Sequence, residues 1–117
     1  MVRKYDLVIQ QGATFKLRLI WKGENKQPQD LTGYTAALQV RETYTSNDTL
    51  LSLTSEPEGG ITITYLEGRI DIVIESALTA SLPAPKNGVY DLELTSPSAE
   101  VTRLLEGKVR ITPEVTR

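Results

Sequence analysis

The sequence has no cysteine and no histidine in its 117 residues. Without cysteine it can form neither disulfides nor thiolate zinc sites, so packing and backbone pairing must hold the fold together. Without histidine it lacks the side chain best suited to proton transfer near neutral pH, and a Ser-His-Asp triad cannot be assembled. We therefore expect that the protein is not an enzyme and that it carries no cofactor.

Long apolar runs are also missing. No stretch approaches the roughly 18 apolar residues that cross a bilayer, and the opening MVRKYDLVIQQ lacks the apolar centre of a secretion signal. The composition is otherwise typical of a globular protein, with 39% hydrophobic and 24% charged residues. We expect synthesis in the cytosol and no contact with a membrane.

Basic residues are too few and too dispersed to attract nucleic acid. The chain carries 13 lysines and arginines against 15 acidic residues, which gives a net charge of −2. Nucleic-acid binding needs clustered lysine and arginine. Lys16, Arg18 and Lys22 share one side of a predicted strand, but this pattern is also typical of a solvated strand face. We expect no nucleic-acid partner.

The strongest positive signal is the alternation of apolar and polar residues, which is typical of half-buried antiparallel strands. It is clearest at Phe15, Leu17, Leu19 and Trp21, at Ile70, Ile72 and Ile74, and at Tyr90, Leu92 and Leu94. The length suits one domain. We predict an all-β, immunoglobulin-like antiparallel β-sandwich of seven to eight strands over residues 1–117, with short tails at 1–5 and 113–117. A small barrel is the alternative.

Local signals divide the chain into its elements. Residues 6–10 and 14–22 form a first pair of predicted strands around Gly12, and residues 61–65 and 69–75 form a β-hairpin. Residues 76–82 break the period of two and predict one short helical turn, which ends at Pro83. Gly107, inside the last predicted strand, indicates a bulge or a bend.

Acidic residues provide two candidate chemistries. Paired carboxylates can hydrolyse glycosides, and the candidate pairs are Asp71 with Glu75 and Asp91 with Glu93. Acidic residues on the same side of a strand are, however, also typical of a solvated surface. Loop acids can bind calcium, but no calcium-loop motif surrounds Asp30, Asp48, Glu56 or Glu58. We predict no catalytic residues and no metal site.

Aromatic residues leave one candidate binding residue. Flat rings that carry polar groups suit stacking on sugars. Trp21 and Tyr90 share the spacing of apolar neighbours and are predicted in the core, whereas Tyr44 lies in a polar loop. Tyr44 is therefore the candidate glycan contact.

The edges of the predicted sheets are candidate contact sites. An exposed edge must be blunted by charge or proline, or paired with another chain, and the strand at 6–10 has few blunting residues. We predict assembly contacts by strand addition at this strand or at the C-terminal tail. The residues are Leu7, Val8, Ile9, Gln10, Pro113, Glu114, Val115, Thr116 and Arg117.

The order of sequence motifs along the chain adds a resemblance to a known family. The segments LVIQQGATFKLRLIWKGENKQPQDLTGYTAALQVRE, GGITITYLEGRIDIVIESALTASLP and GVYDLELTSPSAEVTRLLEGKVRITPEVTR together resemble small β-sandwich structural proteins of tailed bacteriophages and prophages. The first third is similar to the N-terminal domain of siphophage baseplate upper proteins. The positions that carry the match are Gly12, Asp30, Leu31, Thr32, Gly33, Tyr90, Asp91 and Leu92.

The resemblance implies a non-enzymatic virion protein, made in the host cytoplasm and assembled into the particle. Its implied role is that of a tail or baseplate accessory or attachment subunit that docks on a symmetric assembly through sheet edges, loops and termini. Its partners would be other tail, baseplate or capsid subunits, with the chain present as a homo-oligomer or in many copies. Two alternatives stay open: a capsid decoration protein that stabilises the head, and a carbohydrate-binding module for host adhesion.

Overall fold

Over residues 2–116, the computed structural model has nine strands in two sheets, one α-helix and one 3-10 turn. The strands are β1 Arg3–Lys4, β2 Leu7–Gln10, β3 Phe15–Ile20, β4 Thr35–Arg41, β5 Leu51–Thr54, β6 Ile61–Thr64, β7 Arg69–Ile74, β8 Lys86–Thr95 and β9 Val101–Thr112. The helix α1 spans Ser76–Ala80, inside the predicted helical turn, and the 3-10 turn spans Tyr65–Glu67.

The strand order is that of an immunoglobulin sandwich. The larger sheet runs β5-β4-β8-β9, with β1 and β2 both beside β9, and the smaller sheet runs β3-β7-β6. Taken in chain order, β3 to β9 occupy the places of strands B, C, C′, D, E, F and G, which separate into the CFG and BED sets of that fold. The predicted all-β, immunoglobulin-like sandwich is confirmed.

The core lies between the two sheets and is built by the predicted alternation. In β7 the inward residues Ile70, Ile72 and Ile74 are no more than 2% exposed, and in β8 Leu92 and Leu94 are fully buried. Burying one such side chain stabilises the fold by about 1.5–3 kcal/mol. The hairpin of β6 and β7 is also confirmed, with Ile61 opposite Ile72 and Thr64 opposite Arg69.

The first two predicted strands do not pair with each other. β2 runs parallel to β9 in the larger sheet, whereas β3 runs antiparallel to β7 in the smaller one. The turn between them crosses from one sheet to the other. Gly12, with a φ of +85°, allows this crossing, and its N–H donates to the Thr79 hydroxyl at 3.0 Å. β1 and β2, which both run parallel to β9, are the exceptions to the predicted antiparallel pairing among the described strands.

The predicted N-terminal tail is largely an ordered edge strand. Arg3 and Lys4 pair with Leu105 and Glu106 of β9, and the Tyr5 N–H donates to the Glu106 carbonyl at 2.9 Å. β1 and β2 therefore form one edge strand interrupted at residues 5–6. The C-terminal residues 113–116 follow β9 as an irregular segment.

The bulge in β9 lies three residues before its predicted place. Leu92 faces Leu105 and the next residue, Glu93, faces Arg103, so that Leu104 is the extra residue. This is why Arg103 points to solvent and Leu105 to the core. Gly107 has another role, because a Cβ there would lie 2.3 Å from the Tyr5 carbonyl oxygen. It gives the N-terminal strand room to approach β9.

Candidate functional site

The strand predicted as an assembly contact divides its side chains between core and solvent. Leu7 and Ile9 are 4% and 1% exposed and pack in the core. Val8 is 55% exposed, and Gln10 also faces solvent. The period of two turns Leu7 and Ile9 inward, so their side chains are not available to a partner. Val8, Gln10 and the backbone of β2 remain available.

The backbone of β2 uses one of its two edges. The N–H groups of Tyr5 and Gln11 donate to carbonyls of β9, so the odd-numbered residues direct their backbone groups toward β9. Val8 directs its N–H and C=O away from β9. Among the described residues β2 pairs with β9 alone. This outer edge can accept an added strand.

One buried and one exposed side chain hold this edge strand in place. The Tyr90 hydroxyl donates to the Tyr5 carbonyl at 2.5 Å, and Asp6 Oδ1 accepts from the Lys108 N–H at 2.9 Å. Tyr90 is 3% exposed. Burial raises the pKa of this phenol, and the nearby Asp6 charge raises it further. The edge is therefore positioned before any partner binds.

The two predicted contact segments lie side by side. Gln10 pairs with Thr112, and the Gln11 side-chain oxygen accepts from the Glu114 N–H at 3.1 Å. Of the predicted tail contacts, Val115 is 91% exposed, Pro113 and Thr116 are exposed, Glu114 is half-buried, and Arg117 lies outside the described residues. One rim of the larger sheet thus presents both segments.

The candidate glycan contact Tyr44 lies beside a small depression on the outer face of the larger sheet. This residue is 78% exposed. The depression has a volume of about 230 Å³, and its lining includes Tyr44, Gln39, Arg41 and Arg103. The Arg41 guanidinium donates to Gln39 Oε1 at 2.9 Å, so the polar groups beside the ring are held in fixed positions.

Three of the four candidate carboxylates are ion-paired, and the fourth, Glu75, is exposed. Asp71 accepts from Arg18 at 2.7 Å and from Arg69 at 3.1 Å. Asp91 and Glu93 lie 3.5 and 3.8 Å from Arg103. Within residues 2–116, no three acidic side chains are grouped closely enough to hold a metal ion. No helix in that range is both long and apolar enough to cross a membrane.

The D-L-T-G motif builds a turn. Asp30 Oδ1 accepts from the Thr32 N–H at 2.9 Å and from the Thr32 hydroxyl at 2.6 Å, and these hydrogen bonds lower the pKa of Asp30. Leu31 is 1% exposed and anchors the turn in the core. Gly33 continues the chain into β4 with a φ of +80°. Asp30 is therefore a turn residue in this structure.

A second, larger cleft was not predicted. It has a volume of about 940 Å³ and lies where the edges of β5 and β6 diverge, with a lining that includes Tyr34, Ser52, Leu53, Ile63, Tyr65 and Leu78. The sequence signal that could have indicated it is the half-buried and exposed apolar residues at the ends of predicted strands, Tyr34 and Tyr65. Its position depends on the separation of two edges, which local alternation does not encode.

Comparison with known proteins identifies the fold. No protein-family model and no curated protein matches the chain. Among solved structures, 155 chains match. One of them, described as Tim-1, is similar with a TM-score of 0.51 and 13% sequence identity, over 100% of this chain and 99% of that chain. At this identity the likeness concerns the fold alone, and it agrees with an immunoglobulin-like β-sandwich.

Proposed function

We propose that this protein is a non-enzymatic structural subunit of a tailed-phage particle. Its role is that of a tail or baseplate accessory or attachment subunit, which docks on neighbouring virion proteins through sheet edges, loops and termini. The observation that carries the proposal is the uncharged edge of β2, where Val8 is 55% exposed. The resemblance of the D-L-T-G and Y-D-L segments to phage sandwich proteins supports the assignment to a particle.

The physical argument concerns what an edge strand costs when it stays unpaired. An uncharged edge is an aggregation risk for a monomer, whereas in an assembly its backbone groups form hydrogen bonds with a partner. The exposed residues Pro113, Val115 and Thr116 beside it widen the available surface. Repetition of one such contact around a symmetric ring multiplies its strength.

Incorporation into particles tests the proposal. Val8→Lys places a charge on the β2 edge, and Val101→Lys places one on the outer face of β9 at an equally exposed site, 56% against 55%. We expect particles made with Val101→Lys to contain normal amounts of the protein and those made with Val8→Lys to lose it, as measured by quantitative mass spectrometry. Equal incorporation of both variants, or absence of the wild-type chain from particles, would contradict the proposal.

The copy number measured in the same particles distinguishes the two virion roles. A tail or baseplate subunit is expected at a small, fixed number of copies per particle. A capsid decoration protein is expected in proportion to the major capsid protein. The second outcome would retain a virion function but move its site to the head.

The depression beside Tyr44 favours one further candidate function, the binding of host glycans. An exposed ring next to fixed amide and guanidinium groups is a surface on which a sugar can stack and form hydrogen bonds. A glycan array probed with wild type, Tyr44→Ala and the control Tyr65→Ala tests it. Binding that only Tyr44→Ala abolishes would support this function, and binding to no glycan would exclude it.

A further inference from the structure

The cleft between β5 and β6 lies at the opposite edge of the larger sheet from β2. Its volume of about 940 Å³ is near the upper end of the range found for ligand sites, roughly 300–1,000 Å³. Leu53 and Ile63 belong to its apolar lining, and Tyr65 and Leu78 are 51% and 40% exposed beside them. The cleft therefore offers both volume and an apolar surface.

Backbone groups from both sheets also point into this cleft. The backbone N–H groups of a strand alternate between its two edges. The Ser55 N–H donates to a carbonyl of β4, whereas the Thr54 N–H points away from β4 and donates to the Gly59 carbonyl. The backbone N–H and C=O of Ser52, two residues before Thr54, therefore also point away from β4. Next to β6, the Gly60 carbonyl accepts from the Val73 N–H of β7. Because the direction alternates from residue to residue, the backbone N–H and C=O of Ile63, three residues later, point away from β7. Ser52 and Ile63 both line the cleft.

The charge of the cleft is of one sign. Its lining includes Glu56, Glu58 and Glu75 and no lysine or arginine. All three carboxylates are on exposed residues. A ligand that enters must match an apolar floor, outward-facing main-chain groups and a negative rim. An extended peptide with basic side chains meets all three requirements, whereas a purely apolar ligand leaves the backbone groups unmatched.

We propose that the cleft binds an extended segment of a partner protein, which adds as a strand beside β5. The segment carries apolar side chains at alternate positions, which face Ile63 and Leu78, and lysine or arginine between them, which face the carboxylates. This site is separate from the β2 edge and does not depend on the proposed virion function.

Peptide probes test the recognition chemistry. The first probe is a fluorescein-labelled peptide of sequence VKVKVKVK, whose binding is measured by fluorescence anisotropy. The second is VEVEVEVE, and the third is VKVKVKVK with every backbone nitrogen N-methylated, which lacks the main-chain donors of an added strand. We expect the second and third probes to bind at least about tenfold more weakly than the first. Equal binding of the first and third probes would overturn strand addition.

Variants locate the binding site. Ser52→Pro removes an outward N–H, which an edge strand tolerates because no ladder bond is lost. We expect two variants each to weaken the binding of VKVKVKVK about tenfold or more: Ser52→Pro and the triple variant Glu56→Lys/Glu58→Lys/Glu75→Lys. The matched controls Glu24→Lys, in an exposed loop, and Val8→Lys, on the other edge, are expected to bind as wild type. Equal loss in the controls and the cleft variants would overturn the site.

Chemical-shift mapping on the wild-type protein gives a result that does not depend on variants that fold. Addition of VKVKVKVK is expected to shift the amide signals of Ser52 and Ile63 and to leave that of Val8 unchanged. Shifts confined to Val8 would place the peptide on the other edge and contradict the cleft proposal. Loss of particle incorporation with Val8→Lys is a separate result, so the two proposals can fail independently.

Discussion

The two rims of the sandwich are built in different ways. At the β2 rim, side chains form hydrogen bonds to backbone far away in the sequence, such as Tyr90 to Tyr5 and Gln11 to Leu82. At the β5–β6 rim, the connecting loop is closed by a local bond from the Thr54 N–H to the Gly59 carbonyl, and its two ends bond to the backbone of β4 and β7. At the first rim these bonds hold the edge strand against the rest of the domain, whereas the second rim contains the cleft.

This difference assigns different stabilities to the two rims. A hydrogen bond contributes about 1 kcal/mol net, and more is lost when its partner is left buried and unpaired. The β2 rim has several such bonds around buried groups, whereas the β5–β6 rim borders solvent. We therefore expect local opening to begin at β5 and β6 and the β2 rim to open only with the whole domain.

The largest predicted effect compares one deletion on each rim. Ile9 is 1% exposed, so Ile9→Ala is expected to reduce the free energy of unfolding by about 2–5 kcal/mol. Ile63 is half-buried at the cleft, and Ile63→Ala is expected to cost only about 1 kcal/mol. Urea unfolding followed by circular dichroism measures both. Equal losses would show that the two rims are equally packed.

Gly107→Ala should separate the N-terminal strand from β9. The new Cβ would lie 2.3 Å from the Tyr5 carbonyl oxygen and 2.9 Å from Asp6 Oδ1, so the edge strand must move. We expect a loss of about 1–3 kcal/mol, together with faster hydrogen exchange at the Tyr5 amide. Unchanged exchange at this amide would mean that the strand accommodates the methyl group in place.

Thr79→Val tests the polar closure of the β2 rim. The Thr79 hydroxyl is fully buried, accepts from the Gly12 N–H at 3.0 Å and lies 2.9 Å from the Ala13 carbonyl. Valine keeps the shape but leaves these groups unpaired, at an expected cost of about 1–3 kcal/mol. The control Thr62→Val, at an exposed position of β6, is expected to change the free energy of unfolding by less than about 0.5 kcal/mol. Similar losses in the two variants would contradict the assignment.

The sequence predicted those parts of the fold that depend on local pattern. Alternation identified the inward residues of β7 and β8, and the short turn identified the hairpin that contains Ile61 and Ile72. It did not predict the partner of β2, because strand pairing between residues about 100 positions apart leaves no mark on either strand alone. The bulge at Leu104 was also misplaced, since it reverses the side-chain period without any glycine.

The candidate site divides along the same line. The exposure of Tyr44 followed from its polar loop, which is a local feature. The cleft was missed because it depends on the divergence of two strands in different sheets. Leu7 and Ile9 show the reverse case, in which the alternation that predicts a strand also assigns alternate side chains to the core.

The smallest effect concerns the hydroxyl that fixes the edge strand. Tyr90→Phe removes the hydrogen bond to the Tyr5 carbonyl and is expected to reduce the free energy of unfolding by about 0.5–1.5 kcal/mol at pH 7.

Burial raises the pKa of Tyr90 in the folded state, so above the ordinary tyrosine pKa of about 10 the folded protein holds a proton that the unfolded chain releases. The stability that Tyr90 contributes is therefore complete below pH 10 and decreases as the pH rises further. The difference in unfolding free energy between wild type and Tyr90→Phe should narrow above pH 10, because the other titrating groups are common to both proteins and cancel. The control Tyr44→Phe, which changes an exposed ring, is expected to match wild type at pH 7. A difference between wild type and Tyr90→Phe that stays constant to pH 11 would show that the phenol is not shielded by the β2 rim.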